Sequence, residues 1–207
     1  MKSTFITTLF LIIIVFVIGV ILGNTWNTSE SEEITKILEQ SELDAQSFLV
    51  EEQLFDTFKT NCPLTESRLA SQSTELAKLG QLLGQDDSLE LLGAQDYHYL
   101  KLKYHLMQLR TYILYKKLHD DCGKTTNVIL YYFNKNDPNS AEQGRILDQI
   151  VLENDLAVFA VEYNYSPSLS FLEQYYNITS APSLIINYDT TLKGAATKEQ
   201  IAAAINE

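Results

Sequence analysis

The chain has 207 residues, 45% of them hydrophobic, and a formal charge of −12. That apolar content is ample for a packed core and excludes a disordered chain. The charge is +1 over residues 1–23, −8 over 24–122 (9 basic, 17 acidic) and −5 over 123–207 (5 basic, 10 acidic). With no basic patch in either larger part, nucleic acid and docking on anionic lipid are excluded as expectations.

The first element is FITTLFLIIIVFVIGVIL, Phe5 to Leu22, with no charge in it. As a helix it spans roughly 27 Å, close to a bilayer's hydrocarbon thickness. It lacks the small-residue pattern of a cleaved secretory signal, since the run ends VILGNTW. Residues 1–23 therefore read as a single-pass membrane anchor. Lys2 precedes the run and Glu30, Glu32 and Glu33 follow it. The positive-inside rule then puts the N-terminus in the cytoplasm and residues 24–207 on the outer side.

Residues 24–122 read as an α-helical region. A first helix carries Ile34, Ile37, Leu38, Ala45, Phe48, Leu49, Phe55 and Phe58. A second opens at CPLTESRL, with Pro63 suited to a first helical position, and continues through Leu69, Leu76, Leu79 and Leu83 until GQDDS breaks it. The third steps by threes and fours through Tyr97, Leu100, Tyr104, Met107, Thr111, Leu114 and Leu118. Tyr99, Leu102, Leu106, Leu109 and Ile113 form a second stripe beside it, which predicts burial against more than one neighbour. His98, His105 and His119 lie at multiples of seven on this helix. Residues seven apart are about 10.5 Å apart along the axis, too far to share a metal. They read as a polar stripe beside the core, and no metal or other cofactor is expected.

Cys62 and Cys122 are the only cysteines. An even pair outside the cytoplasm predicts a structural disulfide closing the helical region. The enzymatic alternative is a thiol–disulfide oxidoreductase working through these two residues. Against it, they are 60 positions apart with no C-x-x-C, and Asp120 and Asp121 disfavour a thiolate at Cys122.

Periodicity changes at Thr125. NVILYYF is a continuous apolar run suited to a strand buried on both faces. A helix over 140–154 follows, then a strand in LAVFAVEYN, a helix in SLSFLEQYYN, a strand in SLIINY, a short TTLKG and a helix in TKEQIAAAIN. The order is βαβαββα, an α/β arrangement with parallel pairing between the first two strands.

VILYYFNKNDPNSAEQGRILDQI resembles, without a gap, the first strand, active loop and first helix of the thioredoxin-like superfamily. YNITSAPSLIIN is similar to the segment holding that family's cis-proline, and Gly194 stands where the family has a glycine after its last strand. The resemblance covers about 127–207 and implies a thioredoxin-like domain over 123–207. It puts Asp137 and Ser140, in DPNS, at the C-x-x-C positions. Nothing after Cys122 contains sulfur, so the family's exchange chemistry does not carry over. The side chains read instead as a helix start, with Asp137 capping before Pro138, or Ser140 capping in an S-x-x-Q box with Gln143. A serine nucleophile would need a base, and no histidine follows His119.

The resemblance further implies that the backbone of Ser180 and Ala181, beside Pro182, binds an extended peptide as an added strand. Tyr131, Tyr132, Tyr163, Tyr165, Tyr175, Tyr176 and Tyr188 are candidates to line such a groove or to fill the core. Asn27, Asn164 and Asn177 each begin an N-x-S/T sequon and are candidate glycosylation sites. Pro167 directly after Ser166 weakens the second, and Asn177 also suits a left-handed helix cap. The reading is a membrane-tethered, non-enzymatic protein that binds a polypeptide or partner subunit on the outer face, as a folding, assembly or scaffold factor. A third reading is an accessory subunit of a membrane complex, as thioredoxin-like subunits serve in oligosaccharyltransferases.

Overall fold

A computed structural model describes residues 60–85 and 87–206, with Ser47, Leu49, Val50 and Gln53 before them. Those four are helical. The expected membrane anchor, the rest of the first helix and the sequon at Asn27 lie outside the described residues. Among the described residues no helix is long and apolar enough to cross a membrane.

Helix α1, Cys62–Leu83, starts where the Asn61 side chain accepts a hydrogen bond from the Leu64 N–H, with Pro63 in the first turn. It ends at Gly84. The face it buries is Thr65, Gln72 and Leu79, at heptad spacing, rather than Leu69 and Leu83, which are half-buried. Buried polar groups need partners. The Thr65 hydroxyl donates to the Asn61 carbonyl at 3.0 Å, and Thr111 donates to Gln72 Oε1 at 3.3 Å across the helix pair. Lys103 and Glu75 form an ion pair between the same helices at 3.1 Å.

Helix α2, Ser88–Cys122, begins nine residues before the expected seam. Gly93 interrupts it with φ 75°, a backbone that side chains disfavour. Beyond the kink Leu100, Met107, Thr111, Leu114 and Leu118 are buried, as the seam requires. A second buried set on the same helix is Leu109 and Tyr112, and it packs on the sheet. The disulfide Cys62–Cys122, with Cα atoms 5.8 Å apart, joins the start of α1 to the end of α2. Gly123, at φ 67°, then turns the chain out of the helix.

Every strand and helix expected after Thr125 is present. The elements are β1 (Asn127–Phe133), α3 (Pro138–Glu153), β2 (Leu156–Glu162), α4 (Ser170–Tyr175), β3 (Ser183–Ile186), β4 (Thr190–Lys193) and α5 (Lys198–Ile205). The fourth helix is shorter than SLSFLEQYYN, because Pro167–Leu169 is a 3-10 turn. The sheet is mixed, in the order β2-β1-β3-β4. β1 runs parallel to β2, with Leu130 opposite Phe159, and antiparallel to β3, with Tyr132 opposite Ser183. β3 and β4 are antiparallel.

β1 alternates between two cores, as a strand covered on both faces must. Ile129 and Tyr131 face Leu147 and Ile150 of α3 and Ile201 and Ala204 of α5. Val128, Leu130 and Tyr132 face Leu109 and Tyr112 of α2, with Leu169, Leu172 and Ile178 beside them. α4 has only six residues and cannot cover that second face. The long helix α2 supplies the missing cover. From Thr60 onward the chain accordingly packs as one compact unit.

The histidines require a correction. His98, His105 and His119 share their heptad stripe with Tyr112, and the stripe turns toward the sheet. His105 is 2% exposed and lies in the core, not beside it. Burial and the Lys101 ammonium lower its pKa to about 4, against a smaller opposing pull from the Ala160 backbone. The other two serve as surface partners, His98 to the Tyr165 hydroxyl at 3.0 Å and His119 to the Lys124 carbonyl at 2.9 Å.

Two outcomes follow for equilibrium unfolding in denaturant. Leu109→Ala should cost about 2–5 kcal/mol. It should shift the helical and near-ultraviolet signals together, because α2 and the sheet share that core. Cys122→Ser opens a loop with a sequence separation of 60 and should cost about 4 kcal/mol on the chain-entropy estimate.

Candidate functional site: a cysteine-free helix start beside a proline loop

Three connections meet at one end of the sheet. β1 and β2 are parallel, so the turns after Phe133 and after Glu162 leave on the same side. β3 runs the other way, so its preceding loop, Thr179–Pro182, arrives there too. With Ser183 opposite Tyr132, Pro182 falls beside the end of β1, where the 134–137 turn begins.

In that turn the Asp137 side chain accepts hydrogen bonds from the Ser140 N–H and hydroxyl, both at 2.8 Å, with Pro138 at the first helical position. This settles the two capping alternatives in favour of Asp137. Gln143 does not complete a box with Ser140. Its Oε1 accepts instead from the Ala196 N–H at 2.7 Å, fastening α3 to the loop before α5. The bonds from the Ser140 hydroxyl and N–H hold the Asp137 carboxyl below the usual carboxylate range. Ser140 is 3% exposed, and its oxygen also accepts from the Asn134 N–H at 3.1 Å. A hydroxyl enclosed by these partners is a structural strut.

Beneath the turn, the Tyr131 hydroxyl donates to the Ser140 carbonyl. Burial pushes the Tyr131 phenol up to about 12 against a smaller lowering by the Ser140 bond. The expected tyrosine lining separates into two groups. Tyr131, Tyr132 and Tyr188 are core residues; Tyr163, Tyr165 and Tyr176 are half-buried and Tyr175 is exposed. Tyr132 and Tyr188 belong to the core shared with Tyr112, on the face covered by α2, and do not line a surface groove.

The loop before β3 is different in character. Pro182 is buried and follows a cis Ala181–Pro182 bond. The Pro182 carbonyl accepts from the Gly194 N–H at 2.9 Å, and the Ser183 hydroxyl donates to the Ser180 carbonyl at 2.8 Å. Gly194 sits at φ 84° after β4, the left-handed region that favours glycine. Ser180 is exposed and Ala181 half-buried. Among the described residues nothing hydrogen-bonds the N–H or C=O of Ala181.

No family model and no curated protein matches the chain. Among solved structures, one described as "Structure of a malarial protein" is similar at 20% identity, over 39% of this chain and 94% of that one. Its TM-score of 0.33 is too low to assign a fold.

The remaining site residues lie apart from this end of the molecule or at its margin. Cys62 and Cys122 are joined to each other, and no free thiol remains. Asn164 and Asn177 are both exposed with positive φ, 56° and 51°. Asn177 follows the end of α4 in the left-handed conformation its cap reading requires. The site feature that the sequence did not reveal is the Ser140 hydrogen-bond set, because Asp137 and Ser140 were each sufficient as a cap.

Ser140→Ala removes the hydroxyl that bonds both Asp137 and the Asn134 N–H, and should cost about 1 kcal/mol. Thermal unfolding checks this. A neutral effect would mean that Asn134 finds water.

Proposed function

We propose that 123–207 is a thioredoxin-like domain that binds an extended polypeptide or partner subunit without covalent chemistry. The chain would do so on the outer face of a membrane, held by the Phe5–Leu22 anchor. Support for the fold comes from the element order, from the sheet order β2-β1-β3-β4 with β1 and β2 parallel, and from the glycine at 194. Support for the absence of redox work comes from the DPNS turn, where the groups at the cysteine positions are committed to capping α3.

The observation that carries the binding reading is the open backbone of Ala181. An exposed loop with an unpaired N–H and C=O, at the end of a sheet, offers the two hydrogen bonds that an added strand needs. Main-chain bonding is tolerant of sequence. Such a loop suits an unfolded or extended segment better than a folded surface. The cap also removes any competing reaction at the neighbouring turn.

The test is binding of an unstructured, disulfide-free polypeptide to the full chain in detergent micelles, read by the Ala181 amide resonance. Binding should shift that resonance, and Ser180→Trp, on the exposed side of the loop, should weaken affinity at least tenfold with the melting temperature unchanged. An unmoved Ala181 amide at saturating peptide overturns the reading.

The alignment behind the fold has its own test. Asp137→Cys combined with Ser140→Cys restores two thiols at a helix start, where a thiol pKa falls to about 7 or below. The double variant should form an internal disulfide and reduce a model disulfide substrate, while the parent should not. A folded variant whose new cysteines cannot pair would show that this turn is unrelated to the thioredoxin loop.

A further inference from the structure

His105 is a buried base whose ring makes no hydrogen bond, with the Ala160 backbone as its nearest polar influence beside Lys101. Its side chain is held by rings, Tyr165 at 5.3 Å, Tyr104 at 6.0 Å and Phe133 at 6.4 Å between centroids. Among the described residues neither ring nitrogen has a hydrogen-bond partner. The rings belong to three elements, α2 itself, the last residue of β1, and the turn after β2. One imidazole thus ties the helix to the ends of both parallel strands.

Charged and titratable neighbours are few, and none would welcome a second proton. On α2, Lys101 places its ammonium 4.8 Å from the centre of the Tyr165 ring and pairs with Glu162 at the end of β2. Tyr104 is neutral, and burial raises its phenol further. His98 hydrogen-bonds the Tyr165 hydroxyl. β1 contributes the Phe133 ring and β2 the Ala160 backbone. Two carboxylates reach this turn: Glu162 is paired with Lys101, and buried Glu173 of α4 accepts from the Asn164 N–H at 2.9 Å.

We propose that His105 is an acid-sensitive latch: protonating its buried ring releases Tyr165 and the turn 163–166 from α2. An imidazolium at this position has two N–H donors with only the Ala160 backbone to offset them, and a like charge in Lys101, so burial favours its reaching water. The route is short. On the other side of Tyr165 lies an open depression of about 410 Å³ lined by His98, Tyr99, Leu102, Tyr165 and Ser166. Swinging the Tyr165 ring into that space uncovers the imidazole while the Tyr163 N–H keeps its bond to the Phe133 carbonyl at 2.9 Å.

The direction in pH follows from linkage. His105 has an ordinary value of 6.5, lowered to about 4 in the folded chain. The opened state takes the proton first, so the closed contact is fully stable above about 6.5 and weakens as pH falls toward 4. The latch stands on packing within the unit and is independent of whether the Ala181 loop binds peptide.

Hydrogen exchange on the full chain in detergent micelles tests it, with rates corrected for intrinsic exchange. Exchange at 164–166 should rise roughly tenfold between pH 7.5 and 5.5 and further by pH 4.5, ahead of the β1 amides. His105→Phe, which keeps a ring but cannot be protonated, should abolish the rise, and His98→Gln should keep it. The same rise in His105→Phe would assign it to Glu162 or another carboxylate and overturn the latch. Should His105→Phe fail to fold, the His105 ring resonance of the unaltered chain decides. Proton uptake well below 6.5 together with turn opening supports the latch; uptake near 6.5 with the turn closed overturns it.

Discussion

Burial of α2 against the sheet is the contact on which the rest of the molecule depends. Without Leu109 and Tyr112 above them, Val128, Leu130, Tyr132 and Val161 would face water on one side, because α4 is only six residues long. Each such side chain contributes roughly 1.5–3 kcal/mol by leaving water. The helix can serve as a lid because its other face is occupied too, by Leu79 and the Gln72–Thr111 pair of the α1 contact. A helix apolar on one face only would cover the sheet and expose nothing; this one needs a second helix behind it. The disulfide then ties the start of α1 to the end of α2.

That arrangement explains the polar chemistry at both ends of α2. At its C-terminal end His119 and Lys124 close the turn after Gly123. Toward its N-terminal half the stripe that carries Tyr112 continues through His105 to His98, and the sheet end receives an imidazole where a purely apolar core would take leucine. A neutral imidazole fills the space at neutral pH. A proton would add a buried charge to the cost of its unpaired nitrogens, which joins packing to pH at this position.

At the same end of the sheet, the 134–140 turn and the Thr179–Pro182 loop differ in how they spend their polar groups. Asp137, Ser140, Asn134 and Tyr131 satisfy one another and the first turn of α3. The N–H and C=O of Ala181 satisfy nothing among the described residues. The closed set stabilises the turn, and the open set is left unpaired. Both bonds from Ser140 go to Asp137 Oδ2, which fixes the turn as the cap of α3.

The sequence by itself determined the element order after Thr125, the cysteine pairing and the absence of sulfur at the turn, because these depend on local periodicity and on which residues exist at all. Asn61, Asp137 and Thr197 each cap a helix from the position their residue type suits. The apolar double stripe on α2 was legible for the same reason. Which partners those stripes meet was not. Leu69 and Leu83 are as apolar as Leu79, yet α1 buries Thr65 and Gln72 instead, since the crossing of two helices selects a face by fit and by the hydrogen bond to Thr111. The histidine stripe looked polar because three of its four members are histidines; only the position of the sheet turned it inward. The tyrosines, equally suited to a groove or a core, were divided by strand alternation and by the helix that covers β1. Local pattern decides what a segment becomes, and only the packed neighbours decide what each of its faces is for.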